Sequence, residues 1–246
     1  MIQEIKKQRA IESIILHIVP GVLIALFMFS FGFVFRKYNL PALLFLQLSI
    51  FVVLLPWIII IFRIYKNREF KKSIKDLIPY NEKSKWYEYL LFSIIMLVFA
   101  GVIMVIMSKT FQPLIKNNLF NWMPSWMDVT DINNNPQNYS PNMLIFVWFF
   151  GILTTGIIAP VLEEVYFRGF LLPRINSGII GMILVEAVLF SLYHVFSLWM
   201  VPGRVIAIIP FIYLVIKKKN IKIAIFGHCL LNIVGDTLSM IPIVFK

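Results

Sequence analysis

Four polar residues in the last hundred positions could together hydrolyse an amide, and each stands in a strongly apolar stretch. They are Glu163 in Pro160-Val-Leu-Glu-Glu-Val-Tyr-Phe-Arg168, His194 in Phe190-Ser-Leu-Tyr-His, and His228 with Asn232 in His228-Cys-Leu-Leu-Asn. A carboxylate in a low-dielectric site holds protons more tightly than in water, which suits it to general-base work near neutral pH. One imidazole can share the attacking water or shuttle its proton, while a second imidazole and an amide N–H can donate to a developing oxyanion. There is no serine or cysteine elbow and no His-Glu-x-x-His helix. Water attack promoted by Glu163 is the reaction this set suits best.

Helical spacing separates partners from bystanders. Glu164 and Arg168 are four apart and share a face, so they are expected to pair. Glu163, rotated by about 100°, points toward a different helix. His228 and Asn232 project together, as do Phe190 and His194. Glu186 and Asp236 are further acids inside apolar runs, placed around the site without an assigned role. His17 is expected to be a packed, helix-bridging residue.

Composition dictates the elements that must position these groups. Of 246 residues, 60% are hydrophobic and 14% charged, with a mean hydropathy of +0.85; a soluble domain has about a quarter charged. Lipid is the natural solvent. The formal net charge of +11 does not indicate nucleic acid, because the basic residues cluster between apolar runs. The single cysteine, Cys229, excludes a disulfide within the chain and is expected in the core.

The expected fold is all-α, a polytopic transmembrane bundle. A helix needs about 20 apolar residues to cross, and seven runs qualify: 13–35, 42–62, 90–107, 144–170, 179–199, 202–216 and 221–245. The sixth is short. The catalytic groups lie on spans four, five and seven. Lys and Arg number 17 on one side of this arrangement and 6 on the other, which puts the N-terminus in the cytoplasm. The chain then divides into spans one to three (1–107), an extracytoplasmic loop (108–142) whose Trp122, Trp126 and Tyr139 suit the interface, and a core (143–246). Residues 63–88, with eight basic and four acidic residues, are expected along anionic headgroups. Depth agrees with this division: Glu163 and His194 each lie roughly 22 Å of helix from a turn at 176–178, and His228 and Asn232 about 15 and 21 Å along span seven.

The three strings resemble the signature of the CPBP family of intramembrane endopeptidases, which includes type II CAAX prenyl endopeptidases and bacteriocin-processing proteins. The pattern Glu-Glu-x-x-x-Arg, Phe-x-x-x-His, His-x-x-x-Asn is met without departure over about 143–245. The resemblance implies a helical bundle with a cavity open to the cytoplasm, in which Glu163 activates water with His194 while His228 and Asn232 hold the oxyanion. Glu164, Arg168 and Phe190 would support them. Catalysis without a metal is expected; the alternative is zinc held by Glu163, His194 and His228. The expected setting is a bacterial cell membrane, and the expected partners are membrane lipid and a short membrane-associated peptide or precursor. Two other readings of the same residues are a non-enzymatic immunity or binding protein and a transporter. The absence of an internal repeat counts against the latter.

Overall fold

The computed structural model of the chain describes residues 5–245, so Lys246, counted above among the outer charges, lies outside it. The described residues are helical with short connections and no strand. Asn81 and Asn220 form an isolated antiparallel bridge. Seven long helices match the apolar runs: α1 (Ala10–Ser30), α2 (Ala42–Arg68), α3 (Trp86–Lys109), α4 (Pro141–Arg174), α5 (Ile179–Tyr193), α6 (Val195–Lys218) and α7 (Ile221–Val244). Helix α7 packs on α3 and α4, α5 on α6 and α1, and α3 on α6. The second half of α4 forms the axis, with Tyr166, Phe167, Phe170, Leu171 and Leu172 fully buried. Outward positions are apolar as well: on α3 they include Leu90, Leu91, Ile94, Val98, Val102 and Val105, a surface only lipid would cover.

Six of the seven helices are long and apolar enough to cross a bilayer. The exception corrects the expected seven full spans. The fifth run ends at Tyr193, not 199, and its 15 residues reach only about 22 Å. The sixth begins at once as a 3-10 segment, Val195–Met200, broken by Ser197 at φ −150°, ψ 49°. Helix α6 is therefore long, whereas the sequence suggested a short 202–216, and α5 and α6 form a hairpin that turns at His194–Met200. Non-helical backbone at such depth needs protein around it. The connection after α3 supplies it: Phe120 meets Trp199 edge-on at 5.9 Å between ring centroids and Lys116 lies 5.1 Å from the same ring.

Prolines shape the helices. A proline removes one hydrogen bond and crowds the carbonyl four residues earlier. In α2 and α4, the residues four before Pro56, Pro160 and Pro173 are Val52, Gly156 and Gly169. Each lies inside a stretch widened to π-helix, Ile50–Leu54, Thr154–Ile158 and Glu164–Leu171, which relieves that crowding. In α1 the remedy differs: the Leu16 carbonyl, four before Pro20, accepts the Tyr166 hydroxyl at 2.9 Å.

The basic segments grouped by sequence do meet at one end. Lys7 donates to the Pro173 carbonyl at 2.9 Å, Arg174 pairs with Glu69 at 2.9 Å, and Lys218 with Glu88 at 2.5 Å. Residues 63–88 are more than a surface face, since Leu77 is fully buried there and its carbonyl accepts Arg174. At the other end, the 108–142 connection folds as a helix (Phe111–Leu119) and short turns. Trp122 is exposed as an interfacial anchor would be, but Trp126 packs on Phe35 and Tyr139 is tied to Asp131.

Candidate active site

Glu163 closes the α-helical piece Ala159–Glu163, and Glu164 opens the π-widened piece that follows. The widening lies next to the paired acids, a position where π-stretches often accompany function. His228, on α7, meets both carboxylates. Its Nδ1 is 2.9 Å from Glu164 Oε1 and its Nε2 is 4.0 Å from Glu163 Oε2. The depth argument therefore brings Glu163 and His228 together across two helices.

The expected Glu164–Arg168 pair forms, at 3.2 Å, and is sealed, with side-chain exposures of 0% and 1%. Arg168 also approaches Glu186 at 3.7 Å and lies 3.7 Å above the Phe190 ring. Phe190 is the platform for that guanidinium, and its ring is 5.0 Å from His194 and 6.4 Å from His228. By contrast, Glu163 and His228 keep side-chain exposures of 9% and 14%. The cluster thus has a closed half that holds charge and an open half that can meet water.

His194 lies just beyond α5, where the helix breaks. Its Nδ1 is 3.0 Å from the Phe190 carbonyl. A carbonyl only accepts, so Nδ1 carries the proton and a neutral His194 presents Nε2 as an acceptor. Among the described residues no hydrogen bond or ion pair joins His194 to Glu163; the two share a neighbourhood of charge with His228, Arg168 and Arg204.

Asn232 donates to the Thr155 carbonyl at 2.8 Å. That carbonyl lies in the π-stretch before Pro160, and its i+5 partner would be the proline, which has no N–H. Asn232 thereby ties α7 to the irregular part of α4, with its second N–H unassigned. One turn on, Asp236 accepts from the Thr155 hydroxyl at 3.0 Å. His17 bridges helices as expected, through Glu186 at 3.0 Å. Cys229 is only partly buried, with Sγ 3.9 Å from the Ile157 carbonyl.

Two residues near Glu163 were not singled out from the sequence. The buried Tyr193 hydroxyl is within hydrogen-bonding reach of Glu163. Arg204, counted above as a loop charge, stands on α6, bonds to Ser197 Oγ at 3.1 Å, and acts electrostatically on Glu163, His194 and Tyr193.

Among the described residues no three His, Cys, Asp or Glu side chains are grouped to hold one ion. No step below passes through a metal.

Residues 145–234 match a family model described as Type II CAAX prenyl endopeptidase Rce1-like. The matched stretch holds the Glu-Glu, Phe-x-x-x-His and His-x-x-x-Asn strings. No curated protein and no solved structure matches the chain.

Proposed function

We propose that the chain, whose residues 145–234 match the Type II CAAX prenyl endopeptidase Rce1-like model, hydrolyses a peptide bond in a short membrane-associated peptide or peptide precursor by water attack, with Glu163 as the base. The observation that carries this reading is the division of the cluster. Glu164 is sealed against Arg168 and His228, whereas Glu163, one residue away, has no ion-pair partner closer than 4.0 Å among the described residues and keeps a side-chain exposure of 9%.

The steps follow from these groups. Glu163 takes a proton from a water whose second hydrogen His194 Nε2 accepts. The water oxygen bonds to the peptide carbon as the carbonyl electrons move to its oxygen. The free N–H of Asn232 and the imidazolium form of His228 donate to that oxyanion. Glu163 then returns its proton to the amine as the C–N bond breaks. Because Nδ1–H of His228 is directed at Glu164, its Nε2 donates only when both nitrogens are protonated, and Glu163 at 4.0 Å is the group placed to exchange that proton.

The proposed setting is a bacterial cell membrane with the basic end of the bundle in the cytoplasm; the proposed roles are peptide maturation or self-immunity to a bacteriocin. The test compares membrane-associated peptides in cells making the natural chain or Glu163→Ala. An uncut precursor should accumulate in the variant, and identical peptide profiles with both proteins inserted would overturn the reading.

A further inference from the structure

Helix α1 lies outside the segment that matches the family model, yet it delivers an imidazole to the back of the site. His17 Nδ1 is 2.7 Å from the Ser13 carbonyl and Nε2 is 3.0 Å from Glu186 Oε2. The carbonyl fixes a proton on Nδ1, so a neutral ring would turn a lone pair toward a carboxylate. A proton must lie between Nε2 and Oε2. From Glu186 the contacts run on through Arg168 at 3.7 Å and Glu164 at 3.2 Å to His228 Nδ1 at 2.9 Å. His17, Glu186, Arg168 and Glu164 have side-chain exposures of 1% or less. The register of α1 is pinned beside this chain, because Tyr166 bonds the Leu16 carbonyl and a Cβ on Gly21 would fall on the Tyr193 carbonyl.

We propose that His17 is a positioning residue of the active site: by neutralising Glu186 it leaves Arg168 to Glu164, and so fixes the proton of His228 on Nδ1. Arg168 stands between two carboxylates, and neither contact is a well-formed hydrogen bond: Arg168 Nε and Nη1, Glu164 Oε2 and Glu186 Oε1 have no hydrogen-bond partner among the described residues. One guanidinium in a sealed space cannot balance two carboxylates. With the proton of His17 present, both acids stay ionised. Without it, one proton is divided between Glu164 and Glu186, and whenever Glu164 holds it on Oε1, the oxygen that faces the ring, His228 Nδ1 must accept instead of donate. The tautomer of the ring facing Glu163 then becomes mixed.

The inference rests on His228 being part of the catalytic set, but its measurement needs no substrate. The chain has three histidines, so 15N-histidine labelling in lipid nanodiscs reads each imidazole, and single variants assign them. The natural chain should show His228 in one form, with the proton on Nδ1. His17→Leu should give a mixed His228 signal while His194 is unchanged. The double variant His17→Leu/Glu186→Gln, which leaves one carboxylate for one guanidinium, should restore the single form; a purely structural loss would not be restored in this way. If His17→Leu does not fold, His17→Gln keeps a donor toward Glu186 without the charge and should give the same mixture. An unchanged His228 in the single variant, or no restoration in the double, overturns the proposal. A lost catalytic role for Glu163 would appear in the peptide comparison and leave these signals untouched.

Discussion

Two groups of buried acids show how differently one chain treats a carboxylate. In the 108–142 connection, Asp128 accepts from the Thr130 N–H at 2.9 Å, its hydroxyl at 2.7 Å and Lys116 at 2.5 Å. Asp131 accepts from Asn135 at 2.7 Å and Tyr139 at 2.6 Å. All four oxygens are used. In the bundle, Glu164 Oε2 and Glu186 Oε1 have no hydrogen-bond partner among the described residues and Glu163 stays 4.0 Å from the His228 imidazole. Saturated carboxylates fix a backbone, because every lone pair is already committed. Unsaturated ones cost stability and retain the capacity to take a proton.

Substitutions can break or sharpen that contrast. The largest effect is expected at Glu163: Glu163→Gln should lower cleavage by about 10²–10⁴-fold, the range for a positioned acid or base, while the thermal midpoint in detergent stays within a few degrees. Cleavage at the natural rate would remove the contrast altogether. Glu164→Gln should act mainly on folding, because it leaves Arg168 sealed with a diminished partner. A loss of about 3 kcal/mol is expected for a broken buried pair, read from denaturant unfolding in mixed micelles. Asp131→Asn should cost about 2 kcal/mol, the value of hydrogen bonds to a charged group, and leave turnover per folded molecule unchanged. A fall in turnover there would mean that the loop takes part in the chemistry. Tyr139→Phe should cost about 1 kcal/mol in the same unfolding measurement, again with turnover intact.

Much of the site was legible because helical spacing and depth are one-dimensional quantities. The four-residue step from Glu164 to Arg168 gave a real ion pair, and counting from the basic ends brought His228 to Glu163. The break at His194 was not legible. Phe190-Ser-Leu-Tyr-His carries no proline or glycine, and the helix ends there because the chain must turn under Trp199 and Phe120, a tertiary demand. Arg204 fell inside the expected run 202–216, but its reach to Glu163 depends on how the α5–α6 hairpin packs, which spacing along one helix does not give. His17 could be recognised as a helix bridge but not matched to Glu186, since their separation of 169 residues has no periodic signal. Asn232 was read by its chemistry alone; its bond to Thr155 depends on a carbonyl orphaned by Pro160, visible only once the π-stretch is known.

The short α5 has a consequence for the lipid around it. Ile180, Leu184 and Val188 form an outward apolar face on a helix about 22 Å long, against a hydrocarbon layer of about 30 Å. Acyl chains beside that face must compress or splay. The mismatch costs a fraction of a kcal/mol per Å and is confined to one flank. The protein therefore carries a thinned, softened annulus next to the helix that ends at His194, and thinner bilayers should favour it in partitioning between membranes.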